Sequence, residues 1–155
     1  MADDAIITST NQLLPDEIAV VLDGSMSVSP DDANDKWYYK LTSITTTSAD
    51  LIAGSFIDYT AVTASSSPSA ISTSDKVKFL FVKNESTADG IYLVLDGGTA
   101  SNSVADGIFI GAGQTFTGRV PNTTVGNLHA IASDIADVGD ANVTAIVAAL
   151  IDDVA

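Results

Sequence analysis

Hydrophobic positions in this chain come in short runs. Turn-forming residues interrupt them at intervals of roughly ten residues, the spacing of an all-β sandwich or barrel. The second half is the clearer part. Lys76–Lys83 (KVKFLFVK) alternates, which assigns Val77, Phe79 and Phe81 to one face of a strand and lets Lys76 and Lys78 open the other. Ile91–Leu95 (IYLVL) is apolar at every position, as a central strand buried on both faces requires, and Asp96-Gly97-Gly98 stops it. Ile108–Ile110 is a further short strand, ended by Gly111-Ala112-Gly113, and Thr115–Val120 and Leu128–Ala132 continue the series.

The first half follows the same grammar less regularly. Met1–Pro15 shows no helical period and is assigned as an arm or an edge strand. Glu17–Leu22 (EIAVVL) is an apolar run that Asp23-Gly24 is expected to close, and Ser25–Asp35 is rich in turn formers. Trp37–Leu41, followed by Ile44 and a run of threonines, has the aromatic and β-branched density of a strand. Gly54–Thr63 alternates, with Phe56, Asp58 and Thr60 on one side and Ile57, Tyr59 and Ala61 on the other. The Ser-rich stretch Ala64–Ser74 (64–74) is taken as an internal loop, so the expectation is one β-sandwich domain over 1–155 with 1–15 as its arm. Val143–Val154 satisfies two periods. Val143, Ile146, Val147, Leu150, Ile151 and Val154 suit a helix, whereas Val143, Ala145, Val147, Ala149 and Ile151 suit a strand. A strand following the Gly139-Asp140 turn agrees better with the rest of the chain.

Composition narrows the function classes. A chain of 155 residues with 46% hydrophobic and 17% charged positions is long enough for one self-sufficient core. The absence of cysteine removes disulfides, thiolate metal ligands and cysteine nucleophiles. Twenty acids against six bases give a net charge of −14. Such a chain repels phosphate backbones and anionic bilayers, so neither nucleic acid nor a membrane is expected as a partner. The start, Met1-Ala2-Asp3-Asp4, reads as neither a secretory signal nor a membrane span. Almost all the acids are aspartate, with only Glu17 and Glu85 as glutamate, which favours turns over helix interiors.

Candidate chemistry is sparse. His129 is the only histidine and lies in a predicted strand beside Leu128 and Ile131. Serine and aspartate are so abundant that a formal Ser-His-Asp set carries no information, and no Gly-x-Ser-x-Gly elbow is present. Asp31, Asp32, Asn34 and Asp35 form an oxygen-rich cluster of the kind calcium uses, but without the EF-hand spacing, so a solvated turn is the preferred reading. Asp134, Asp137, Asp140, Asp152 and Asp153 are read in the same way. Gly107–Gly113 (GIFIGAG) lacks the Gly-Lys-Ser/Thr ending of a phosphate loop, and its glycines are assigned to turns. Trp37 and Tyr39 share a strand face and are candidates for a sugar-stacking platform, with core packing as the simpler role. No catalytic, cofactor-binding or metal-binding residue is assigned, and no enzymatic activity is expected.

The run KVKFLFVKN, a polar turn, IYLVLDGGTA, and then GIFIGAGQTFTGRVPNTTVGNLHAIAS resembles small virion structural proteins of tailed bacteriophages. The resemblance spans Lys76–Ser133 and rests on cadence: a strand ending in Lys-Asn, a strand ending in Asp-Gly-Gly, a glycine-flanked strand and a Phe-x-Gly segment. It implies a β-sandwich, often jelly-roll-like, that assembles as a homotrimer on the major capsid protein lattice as a decoration or cement protein. The corresponding location is the outer capsid surface, with assembly in the host cytoplasm and no cofactor. Tail, neck and baseplate proteins use similar sandwiches. A carbohydrate-binding adhesin and a bacterial surface-layer module are the rival classes outside the virion.

Overall fold

A computed structural model describes residues 5–13, 20–57, 69–101, 107–133 and 142–154. The chain divides into two compact units, Met1–Ala33 and Asn34–Ala155. The first is a β-hairpin. Strand β1 (Ala5–Leu13), within the segment read as an arm, pairs antiparallel with β2 (Val20–Val28). The pairing runs through Asp23 and Gly24, which lie opposite Thr10 and Ser9. Asp23-Gly24 therefore does not end the strand as expected. A continuous ladder on the opposing strand outweighs a two-residue turn signal.

The second unit is an all-β sandwich of two four-stranded antiparallel sheets. Its strands are β3 (Asp35–Ile44), β4 (Ala49–Asp50), β5 (Lys76–Asn84), β6 (Ile91–Val94), β7 (Ile108–Ile110), β8 (Thr115–Thr124), β9 (His129–Ala132) and β10 (Val143–Asp152). One sheet has the order β3-β10-β5-β8 and the other β4-β9-β6-β7. A single 3₁₀ turn, Val125–Asn127, is the only helical element among the described residues, and no helix there is long and apolar enough to cross a membrane. The C-terminal segment is a strand, and its burial alternates along the chain. Inward Val143, Ala145, Val147, Ala149 and Ile151 are all buried.

The core lies between the sheets. Tyr38, Leu80, Val82, Val147 and Ile151 from one sheet meet Ile91, Leu93, Ile110, Ala130 and Ala132 from the other, with Leu51, Ile52 and Phe56 joining from the β4 connection. β6 is central in its sheet and buried on both faces: Ile91 and Leu93 enter this core, while Val94 packs with Ala100 and Ile131 on the other side. Phe56 is buried and Ile57 exposed, as alternation predicts, but the ladder there is only an isolated bridge, Ser55 to Ala70. Asp58, Thr60, Tyr59 and Ala61 lie outside the described residues, as do residues 64–68 of the 64–74 loop.

The expected Val77-Phe79-Phe81 stripe is broken. A β-bulge shifts the register between Val77 and Phe79 against β8, and between Leu150 and Ile151 against β10. A bulge adds one residue and so inverts the facing of everything beyond it. Val77, Leu80 and Val82 consequently face the core, whereas Phe79 and Phe81 lie on the opposite face of the sheet.

Two buried polar groups lock the connections. Asn84, fully buried at the end of β5, directs its amide nitrogen at the carbonyls of Asp89 (2.8 Å), Ile110 (3.2 Å) and Gly111 (3.1 Å) and accepts from the Ser86 N–H at 2.9 Å. It joins the turn after β5 to the end of β7. Asp75, also fully buried, accepts from the Ser72 N–H (2.8 Å) and the Val154 N–H (3.3 Å), tying the start of β5 to the chain end.

Replacing Asn84 by Asp exchanges a donor for a negative charge facing three carbonyl oxygens. The expected loss is about 3 kcal/mol or more, read as a lowered midpoint in urea unfolding at neutral pH. Tyr38 supplies a second test. Burial raises its phenol above the usual 10.0, outweighing the hydrogen bonds that would lower it. Above that pH the unfolded chain loses this proton before the folded chain does. The contribution is therefore intact below 10.0 and declines as pH rises beyond it. Stability measured across this alkaline range should fall less steeply in Tyr38→Phe than in the parent.

Candidate assembly face

The outer face of the β3-β10-β5-β8 sheet collects the chemistry that the fold leaves exposed. Register aligns its positions in rows across the four strands. Trp37, Leu150, Phe79 and Arg119 form one row, and Tyr39, Ala148, Phe81 and Thr117 form the next. Leu41, Ile146, Lys83 and Thr115 follow. The first row is largely closed: Leu150 and Phe79 are 1% and 3% exposed, and Trp37 packs edge-on against Phe79 with ring centroids 6.3 Å apart. The next two rows are open. Tyr39 is 56% and Leu41 60% exposed, and Phe81, Ile146 and Ala148 are half-buried beside them. Isolated exposed apolar residues are ordinary, but a contiguous apolar patch with a polar rim marks an interaction surface.

The same sheet carries every base of the chain. Lys76, Lys78 and Lys83 lie on β5 and Arg119 on β8, whereas Lys36 and Lys40 of β3 stand opposite the core residues Ile151 and Val147, on the other side of the sheet from Tyr39 and Leu41. Some are neutralised in place. Lys83 pairs with Glu85 at 2.6 Å and Lys36 with Asp153. Lys78, displaced by the bulge, reaches the fully buried carboxylate of Asp35 at 2.8 Å. Asp35 stands directly opposite Asp152 across the ladder, and Asp152 stands opposite Lys76. Like charges opposed in a sheet are destabilising, and the two lysines offset them. In a chain of net charge −14, this sheet is where the field ceases to be uniformly acidic.

Of the other candidates, Asp32, Asp35 and Asp152 bring carboxylate oxygens within 4.8 Å of one another, an acidic group that Lys78 enters through Asp35. Asp31, Asp32 and Asn34 are exposed, while Asp35 is buried against Lys78. Asp152 and Asp153 are half-buried at the end of β10, and Asp134, Asp137 and Asp140 lie outside the described residues. His129 is a cross-link: Nδ1 lies 2.7 Å from the Gly98 carbonyl and Nε2 3.1 Å from the Asp50 carboxylate. It thereby ties β9 to β4 and to the Asp96–Gly98 turn. In Gly107–Gly113, Gly113 has φ +69°, the conformation of a glycine turn, and a Cβ on Gly107 would stand 2.4 Å from the Leu93 carbonyl oxygen. The segment leads into strand β8, not into the helix a phosphate loop requires. Trp37 and Tyr39 lie in adjacent rows of the outer face, Trp37 half-buried and edge-on against Phe79, Tyr39 exposed. A cleft lined by Thr42–Thr45, Ala49–Leu51 and Ala130 holds about 50 Å³. That is the space of one or two waters, far below a substrate pocket.

Sequence reading missed the gathering of bases on one sheet. Lys76, Lys78 and Lys83 were visible as a group, but Lys36, Lys40 and Arg119 join them only through cross-strand pairing. The chain matches no protein-family model, and no curated protein or solved structure matches it.

Replacing Lys78 by Met removes the ammonium from the buried Asp35 carboxylate. Chemical denaturation should show a loss of about 2–4 kcal/mol, with partial recovery when Asp35 is also changed to Asn, because the cost is that of an uncompensated buried charge.

Proposed function

We propose that this protein is a structural component of a tailed-phage virion: a capsid decoration protein that binds the outside of the assembled major capsid protein lattice as a homotrimer and stabilises it. The observation that carries this reading is the outer sheet face, where exposed Tyr39 and Leu41 share a surface with Lys83 and Arg119 on an otherwise acidic molecule. The cadence of Lys76–Ser133 supports it from the sequence side. A net charge of −14 disfavours a place against packed DNA and favours the outer surface.

The mechanism is linkage and needs no cofactor or catalysed reaction. A protein that binds only the assembled shell adds its binding free energy to the stability of that state. Copies bridging neighbouring capsomers act at high effective concentration, so contacts of about 2–3 kcal/mol each suffice when three are made together. Tail, neck and baseplate positions use the same physics and differ in location.

The test is the composition and thermal behaviour of purified virions with and without this gene product. Shells lacking it should form and then rupture at lower temperature, and cryo-electron microscopy should place its density on the outer surface. Unchanged rupture, or density on the tail or inside the shell, would defeat the decoration reading.

A further inference from the structure

Lys78 and Asp35 meet in surroundings suited to more than an ion pair. The Asp35 side chain has no exposed surface, and Lys78 Nζ lies 2.8 Å from its Oδ2. The carboxyl carbon is one C–O bond beyond that contact, so it stands within about 4 Å of the nitrogen. Asp152 faces Asp35 across the ladder, and carboxylate oxygens of the two lie within 4.8 Å of each other. The adjoining row of the sheet is closed by buried Leu150 and Phe79, with Trp37 edge-on against Phe79. An amine, a carboxyl carbon and a second carboxylate able to carry protons are thus gathered beside an apolar layer.

Two costs attach to the pair while it stays ionic. Desolvation of a carboxylate and an ammonium offsets most of their attraction. Asp35 also stands opposite a like charge, Asp152. Condensation to an amide removes both members' charges together. Well-oriented groups held in contact react at effective concentrations of about 10⁵ M or more, which offsets the preference of bulk water for the free acid and amine. Lys36 and Asp153 are also in contact, but both side chains are partly exposed and Lys36 is shared with Ser69. Asp153 is not a member of the group formed by Asp32, Asp35 and Asp152.

We propose that Lys78 and Asp35 condense to an intramolecular isopeptide bond, Nζ to Cγ, with Asp152 as the proton relay. The ammonium passes one proton to the Asp35 carboxylate, and the free amine adds to Cγ. The nitrogen of the adduct gives a second proton to Asp152, which delivers it to the departing hydroxyl. One C–N bond forms, one C–O bond breaks and one water leaves. Asp152 ends as the carboxylate it began, and nothing is oxidised or reduced. The bond joins β3 to β5 across β10 and closes residues 35–78 into a covalent loop, which restricts the unfolded chain. It is a property of the sandwich itself and does not depend on where the protein assembles.

Intact-mass spectrometry of the full chain, denatured after folding and incubation for days at neutral pH, tests it. The parent should be lighter than its sequence by the mass of one water, counted with or without Met1. Trypsin should release residues 1–36 joined to residues 77–83, because an acylated Lys78 is not cleaved. Lys78→Arg keeps the positive charge but offers no amine, and should show the full sequence mass. Asp152→Asn keeps the shape without the proton transfer and should slow the loss of water about a hundredfold, whereas Asp152→Glu should retain it, with circular dichroism β-rich in both. A parent that keeps its full sequence mass overturns the bond. So does a loss of water that persists in Lys78→Arg, or a branch that maps to Lys36 and Asp153. An unchanged rate in Asp152→Asn overturns the relay.

Discussion

The double pairing of β10 governs the sandwich. This last strand is hydrogen-bonded along both edges, to β3 on one side and β5 on the other, so strands from the two ends of the unit are held in one sheet. Nearly all of its contacts are distant in sequence, and its loop-closure entropy is recovered only when inward Val143, Val147 and Ile151 meet the facing sheet. Every feature of the outer face inherits the β10 register. A one-residue slip would turn Ile146, Ala148 and Leu150 inward and put Ala145, Val147 and Ala149 outside.

The bulge at Val77–Phe79 is the second determinant, and it shows how a local irregularity reaches chemistry. Without it, Phe79 and Phe81 would share the core side with Val77, and the outer face would lose the ring against which Trp37 packs. The same extra residue brings Lys78 to Asp35, so a carboxylate that would otherwise be buried opposite Asp152 without compensation is neutralised. Packing and electrostatics at this end of the sheet are therefore one adjustment with two consequences.

Buried polar groups do different work here from buried charges. Asn84 and Asp75 sit where strands end and backbone groups would be left without partners, and each closes two separate segments with several hydrogen bonds. His129 acts similarly nearer the surface, between β4 and a glycine turn. The polar side chains most suggestive of chemistry in the sequence thus serve as fasteners in the fold. The exposed apolar rows, which are chemically plain, form the surface suited to a partner.

Much of this was legible in the chain alone, because alternation and turn spacing are local properties. The all-β class, the strands at Trp37–Ile44, Ile91–Val94 and Ile108–Ile110, and the burial of β6 on both faces follow from side-chain period and from residues that cannot continue a strand. The glycine turn at Gly111–Gly113 follows from the same signals. What the chain could not state is non-local. Val143–Val154 obeyed two periods until its partners selected one. Asp23-Gly24 looked like a turn until the opposing strand ran past it. The Val77–Phe79 bulge depends on two neighbouring strands and leaves no mark in the run KVKFLFVK. The gathering of six dispersed bases on one sheet exists only once cross-strand register has been set. Period and turn chemistry are written residue by residue; register, bulges and the composition of a surface are decided between strands, by hydrogen bonds and contacts that join residues far apart in sequence.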